Sequence, residues 1–142
     1  MILARRYKFE VADNVGESPA PLCWVLDGNR YRLHACVIEI RIDGGICGDG
    51  LVADYDVIDA TVKPIIRLVN RRDLNSLHKR CSTKEAAAVA DNPTAELLLA
   101  WFAVRLGLVA SVRSPGADLP STLRLESLIL EEDDDTRLVW FP

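Results

Sequence analysis

Long apolar runs are missing from this chain. None approaches the roughly 20 residues that a helix needs to cross a bilayer, so no membrane partner is expected. An excess of basic charge is missing too. Seventeen Lys and Arg face 21 Asp and Glu, for a net charge of −4. Arg71-Arg72 and Lys79-Arg80 are the only basic pairs beyond the N-terminal Arg5-Arg6, which argues against a nucleic-acid groove. Cysteine is sparse: Cys23, Cys36, Cys47 and Cys81 show no C-x-x-C spacing, so no zinc ribbon is expected. The opening Met1-Ile-Leu-Ala-Arg-Arg6 carries its charge after its apolar residues, the wrong order for an export signal. The thiols are therefore expected reduced, in a cytoplasmic protein. Neither phosphate-binding glycine pattern, G-x-x-x-x-G-K or G-x-G-x-x-G, occurs, and no segment repeats.

Apolar residues make up 49% of the 142. That composition excludes a disordered chain and predicts one domain, 1–142, able to bury a core without disulfides or metals. Ile2 to Val11 reads as a first strand, and Asn14 to Pro21, with Gly16, Pro19 and Pro21, as a loop. Asn29 to Ile42 is rich in β-branched residues and reads as a second strand, with Cys36 as a small core residue. Asp43 to Gly50 holds four glycines and reads as a turn region.

Helical spacing sets in next. Val57, Ile58, Thr61, Val62, Ile65, Ile66 and Val69 form one apolar stripe, which predicts a helix within Leu51 to Val69. Asp54 or Asp56 can cap it, and Pro64 should kink it. Lys79 to Asp91 is ambiguous, although Lys84 to Ala90 has good helix propensity. A second helix is expected from Asn92 as cap and Pro93 in the first helical position, through Leu106, with Gly107 ending it. Ser114 to Ser121 reads as a loop, Leu123 to Glu131 as a strand and Thr136 to Phe141 as another. The acidic run Glu131 to Asp135 reads as a solvated turn, of which one member can point inward to hold a cationic or amidine-like group. The order β-β-α-α-β-β predicts an α+β fold, a four-stranded antiparallel sheet with two helices on one face.

One stretch, Asp27-Gly28-Asn29, stands where the second strand begins. If the strand already runs at Asp27, then Asp27, Asn29, Tyr31 and Leu33 share a face and form the floor of a site. Asp-Gly is equally a turn dipeptide, and the residues alone leave both readings open.

Several segments resemble the 6-pyruvoyltetrahydropterin synthase and 6-carboxytetrahydropterin synthase family. They are Gly50-Leu-Val-Ala-Asp-Tyr55, Val62-Lys-Pro-Ile65, Arg72-Asp-Leu-Asn75, Asn92-Pro-Thr-Ala-Glu96 with Trp101, and Leu128-Ile-Leu-Glu-Glu132. The resemblance covers nearly the whole chain in order. It implies the tunnelling fold, with subunits joined into barrels as trimers or hexamers and active sites between them. It also implies a changed site. The family holds zinc through three histidines, and the matching positions here carry Asp13, Asp27 and Asn29. Oxygen donors of this kind suit at most a weakly held hard cation, so neither a metal nor any other cofactor is expected.

Cys23 matches the family's cysteine, but the Asp-His dyad that serves it is replaced by Asn70-Arg71. Arginine stays protonated and cannot act as a base. Thr94 and Glu132 match the family's pterin-binding threonine and glutamate. The two usual zinc-dependent activities therefore lose their Lewis acid.

Three functions follow as expectations. The first is a metal-independent cyclase of a bacterial natural-product pathway. It would act on a polyketide macrolactone, through a pericyclic cycloaddition in an inter-subunit pocket that holds a near-attack conformer. Trp24, Tyr31 and Tyr55 would then meet an apolar small-molecule substrate, with Tyr55, Arg71 and Asp27 as the catalytic hydrogen-bonding groups and Asn29 among the substrate-binding ones. The second is a non-catalytic pterin- or purine-binding module, or a synthase-like enzyme of altered chemistry, using Thr94 and Glu132. The third is an inactive subunit that regulates an active relative.

Overall fold

The computed structural model describes residues 1–16, 23–26, 29–45, 50, 54–111, 124–132 and 135–142; at 14–16, 23–26, 29–30 and 108–111 the description extends to the backbone. Two fifteen-residue strands dominate the chain, β1 (Ile2–Gly16) and β3 (Asn29–Asp43), with the short β2 (Cys23–Leu26) between them. Helix α1 (Tyr55–Arg67) follows. Then come β4 (Arg72–Asp73), a 3₁₀ turn (Leu74–Ser76), α2 (Leu77–Arg80), α3 (Lys84–Asp91), α4 (Ala95–Ser111), β5 (Arg124–Glu132) and β6 (Thr136–Trp140).

Among the described residues, six strands form one sheet in the order β4-β1-β3-β5-β6, with β2 also on β3. The four long strands and two long helices follow the predicted α+β order. The additions are β2 and β4, and β4 runs parallel to β1, Val11 opposite Arg72 and Ala12 opposite Asp73. Three boundaries also differ from expectation. β1 does not stop at Val11, because residues as far as Gly16 keep pairing with β3. Helix α4 does not end at Gly107. The apolar residues after it extend the helix to Ser111, and no left-handed residue interrupts it there. Asn92 is not the cap of α4 either. Its amide closes α3 on the Ala88 carbonyl, and the Thr94 hydroxyl instead accepts the Leu97 N–H at 3.3 Å. Asp54, not Asp56, caps α1, and the helix runs through Pro64.

The period-two pattern of β1 and β3 sorts the sheet into two faces. Tyr7, Phe9 and Val11 on β1, Cys36, Ile38 and Ile40 on β3, and Leu128 and Leu130 on β5 pack beneath the helices in one core. Trp101 and Phe102 of α4 seal it. The Phe102 ring meets Phe9 edge-on at 5.6 Å and Trp101 at 4.9 Å. The other face is charged. Glu39, 8% exposed, receives Arg6 and Arg41, and Arg6 also reaches Glu131 at 2.9 Å. Arg80 fastens the helical layer to β4, donating to the Leu68 and Asp73 carbonyls and the Ser76 hydroxyl. Among the described residues no helix is long and apolar enough to cross a membrane.

Candidate functional site

Strand β3 changes partner along one edge. β5 pairs with it from Cys36 to Asp43, and β2 from Asn29 to Arg32. His34 sits between the two, and β1 runs along the opposite edge with a register shift just past Asp13. Directly opposed and diagonal residues on one face come within side-chain reach. Asp13 of β1 lies opposite Arg32, and Glu132 of β5 opposite Cys36. His34, two residues from each of Arg32 and Cys36, is thereby placed between two carboxylates.

Its Nε2 is 2.9 Å from Asp13 Oδ1, and its Nδ1 is 3.0 Å from Glu132 Oε1. Arg32 closes the group, with Nη2 3.0 Å from Asp13 Oδ2, Nε 3.4 Å from Asp13 Oδ1 and Nε 3.1 Å from His34 Nε2. An ionised carboxylate only accepts and a guanidinium only donates. Nδ1 therefore carries a proton toward Glu132. Nε2 faces both an acceptor and a donor: protonated, it donates to Asp13, and deprotonated, it accepts from Arg32. Asp13 is 6% exposed; a carboxylate so buried persists only because these cations and N–H groups meet it.

Above this group a cleft of ≈ 270 Å³, counting the space open to solvent, lies between the sheet and the start of α4. Val11, Leu74, Leu98 and Leu130 supply apolar wall, and His34, Thr94 and Glu132 supply the polar groups. Glu132 Oε2 has no partner among the described residues, and the Thr94 hydroxyl hydrogen is left over after its oxygen caps α4.

The sequence-derived residues divide. Asp13, Thr94 and Glu132 are brought together, with Thr94 and Glu132 in the cleft itself. Asn70 and Arg71 stand at the edge of β1: Asn70 Oδ1 accepts the Glu10 N–H at 3.0 Å, and the Arg71 N–H donates to the Glu10 carbonyl at 2.7 Å. Arg71 holds a left-handed φ of 56° and its side chain is 82% exposed, with Glu10 the nearest carboxylate at 3.9 Å. Tyr31 lies on the face of β3 opposite His34, by alternation, with Trp24 its register partner on β2. Cys23 stands opposite Arg32 in register. Asp27, and the side chains of Cys23, Trp24 and Asn29, fall outside the described residues.

Tyr55 is elsewhere. It begins α1, its ring 5.1 Å beneath the Arg5 guanidinium. Arg5 lies eight residues along β1 from Asp13, a span of about 26 Å at the usual strand rise. There Arg5 grips Asp59 through both oxygens at 2.8 and 2.7 Å, and Tyr7 donates to Asp59 at 2.6 Å. Arg5, then Tyr7, hold the Asp59 carboxyl below the usual carboxylate range. Burial, then the bond to Asp59, pushes the Tyr7 phenol up to about 12. The folded state thus keeps the Tyr7 proton after an unfolded chain has released it, so this contribution is full below pH ~10 and is lost as pH rises through ~12. An absorbance titration should show one of the three tyrosines ionising late, and Tyr7→Phe should remove that late step.

Arg32 and His34 carry no motif, and the sequence does not mark them as site residues. The available signal is that even-numbered positions of β3 face the core from Ile40 back to Cys36, and the same alternation continues through His34 and Arg32.

No protein-family model and no curated protein matches the sequence. Solved structures do. A 6-pyruvoyl tetrahydropterin synthase of Caenorhabditis elegans superposes over 100% of this chain and 95% of its own, with a TM-score of 0.67 at 15% identity. The chain has the tunnelling fold of that synthase. An uncharacterised protein of Wolinella succinogenes matches over 99% of this chain and 98% of its own, with a TM-score of 0.54 at 12% identity.

The tunnelling fold explains why β1, β3 and β5 meet beneath the start of α4, and identities this low carry the likeness no further than the fold. The zinc implied by the resemblance does not suit the residues here. Both Asp13 oxygens already face the cationic Arg32, and no group of three His, Cys, Asp or Glu able to hold a metal occurs among the described residues.

Proposed function

We propose that this protein is a small-molecule enzyme of altered synthase-like chemistry, which binds a flat heterocycle with a polar edge, of pterin or purine type, without a metal. One observation carries this reading: the open Glu132 Oε2 and the spare Thr94 hydroxyl hydrogen face one cleft. A carboxylate accepts from a ring N–H and an exocyclic amine together, and a hydroxyl donates to a ring nitrogen or carbonyl. The chemistry such a site performs is acid–base: Glu132 takes a proton from the bound ring, and the His34 N–H on its other oxygen holds the carboxylate in place.

The cyclase reading keeps one observation in its favour, the apolar walls of the cleft. A macrolactone exceeds the cleft of one chain, so that reading needs a partner subunit to enlarge the pocket, with Tyr55, Trp24 and Tyr31 contributed around it.

Thermal-shift and calorimetric titration with pterins, guanine derivatives and polyene macrolactones separates the two. Heterocycles should stabilise the protein, and Glu132→Gln should weaken their binding by roughly 10- to 100-fold, the loss of a charge-assisted bond. Stabilisation by polyenes alone would transfer the proposal to the cyclase.

A further inference from the structure

We infer that Cys36 is a specificity-determining residue of the cleft: its small side chain sets how far a bound ring reaches in beside Glu132. The inference deepens the heterocycle reading above and rests on it. The core-facing positions of β3 carry Ile42, Ile40 and Ile38 in turn. At the next such position the stripe steps down to the smaller Cys36, and Cys36 lines the cleft. It is buried, and it stands directly opposite Phe9 of β1 on one side and Glu132 of β5 on the other. Opposed residues on one face of a sheet have their Cβ atoms about 4.5–5.5 Å apart. The Cys36 side chain therefore lies alongside the carboxylate that the polar edge of a ligand meets.

Protein cores pack to the density of organic crystals, so a stripe position held by a smaller residue leaves room for other atoms. The opposite wall is small at the same level, where α4 presents Ala95 to the cleft one residue after Thr94. Isoleucine at position 36 carries the stripe through and fills the space that the inner edge of a ring takes. Alanine there deepens it. Glu132 and Thr94 thus select the hydrogen-bonding edge of the ring, and Cys36 selects what its inner edge carries, a ring hydrogen in preference to a methyl group. The ligand class narrows accordingly, to a heterocycle left unsubstituted beside the edge that Glu132 holds.

The test is calorimetric titration of the full chain with pterin, guanine and a panel of their singly ring-methylated forms. Wild type should bind the parent rings and discriminate against at least one methylated form. Cys36→Ala should readmit that form, narrowing the discrimination roughly tenfold or more, the effect of one methyl-sized group in an apolar pocket. Cys36→Ile should lose the parent rings while the His34 Nδ1 proton, followed by nitrogen NMR, stays as it is in wild type. Cys36→Val is read the same way should Cys36→Ile fail to fold, and circular dichroism checks each variant. A wild type that binds every methylated form as well as its parent overturns the inference. So do Cys36 variants that keep the wild-type order of preference, or a loss of binding accompanied by loss of the His34 signal, which would make residue 36 a support of the site and not its gauge. A wild type that binds no member of the panel overturns the heterocycle reading and this inference with it, a result distinct from binding that Cys36 does not tune.

Discussion

Replacing Asp13 by alanine is expected to lower stability by about 2–3 kcal/mol and to dismantle the candidate site. The side chain is 8% exposed and takes the Arg32 guanidinium on both oxygens and His34 Nε2 on one. Its removal takes a carboxylate from the largely buried His34 ring and from an Arg32 side chain that is 53% exposed and that solvent can rehydrate. That rehydration keeps the expected loss below what a fully enclosed pair would show. For a chain of this length the thermal midpoint should fall by roughly 6–12 °C. Asp13→Asn should fall between, since an amide oxygen still accepts from Arg32 but carries no charge. Thermal unfolding of both variants checks the order, and an Asp13→Ala protein as stable as wild type would show that the three-residue contact is not made.

Phe102→Ala should cost more, about 3–5 kcal/mol, the range for emptying a well-packed aromatic site. Phe102 is 1% exposed and links α4 to the sheet through Phe9, while it also supports Trp101. Its loss removes both edge-to-face contacts and leaves a void under the helix whose first turn walls the cleft. Val104, two residues on and 37% exposed, is the matched control: Val104→Ala should change stability by about 0.5 kcal/mol or less. Guanidinium unfolding of the pair measures the difference. A loss at Phe102 no larger than that at Val104 would mean that α4 does not pack on β1 as described.

Much of the scaffold was legible because its signals are local. The apolar stripe of α1, the β-branched run of β3 and the alternation Leu128, Leu130, Glu132 in β5 each repeat at the period of their element. The misjudged boundaries are places where a local signal met a tertiary one. Gly107 reads as a stop by residue type, but the apolar residues after it continue the helix. Asn92-Pro93 reads as a helix start, yet the chain needs Asn92 to close α3, and Thr94 takes over as cap two residues later. The strands β2 and β4, four and two residues long, are too short to show a period.

The site was half legible for the same reason. Asp13, Thr94 and Glu132 came from motif positions in a resemblance. His34 and Arg32 came from no motif, because their importance arises when three distant strands bring two carboxylates to one imidazole. Register decides that, and a shift of β3 by one residue would turn His34 to the opposite face.

The most direct test is nitrogen NMR of the His34 ring at neutral pH. The chain has two histidines, and exposed His78 serves as the internal reference. The expected result is a protonated Nδ1 in His34 whose proton exchanges slowly with water, with both features lost in Glu132→Ala. A His34 ring with an unprotonated Nδ1, or one indistinguishable from His78, would contradict an imidazole held between Asp13 and Glu132.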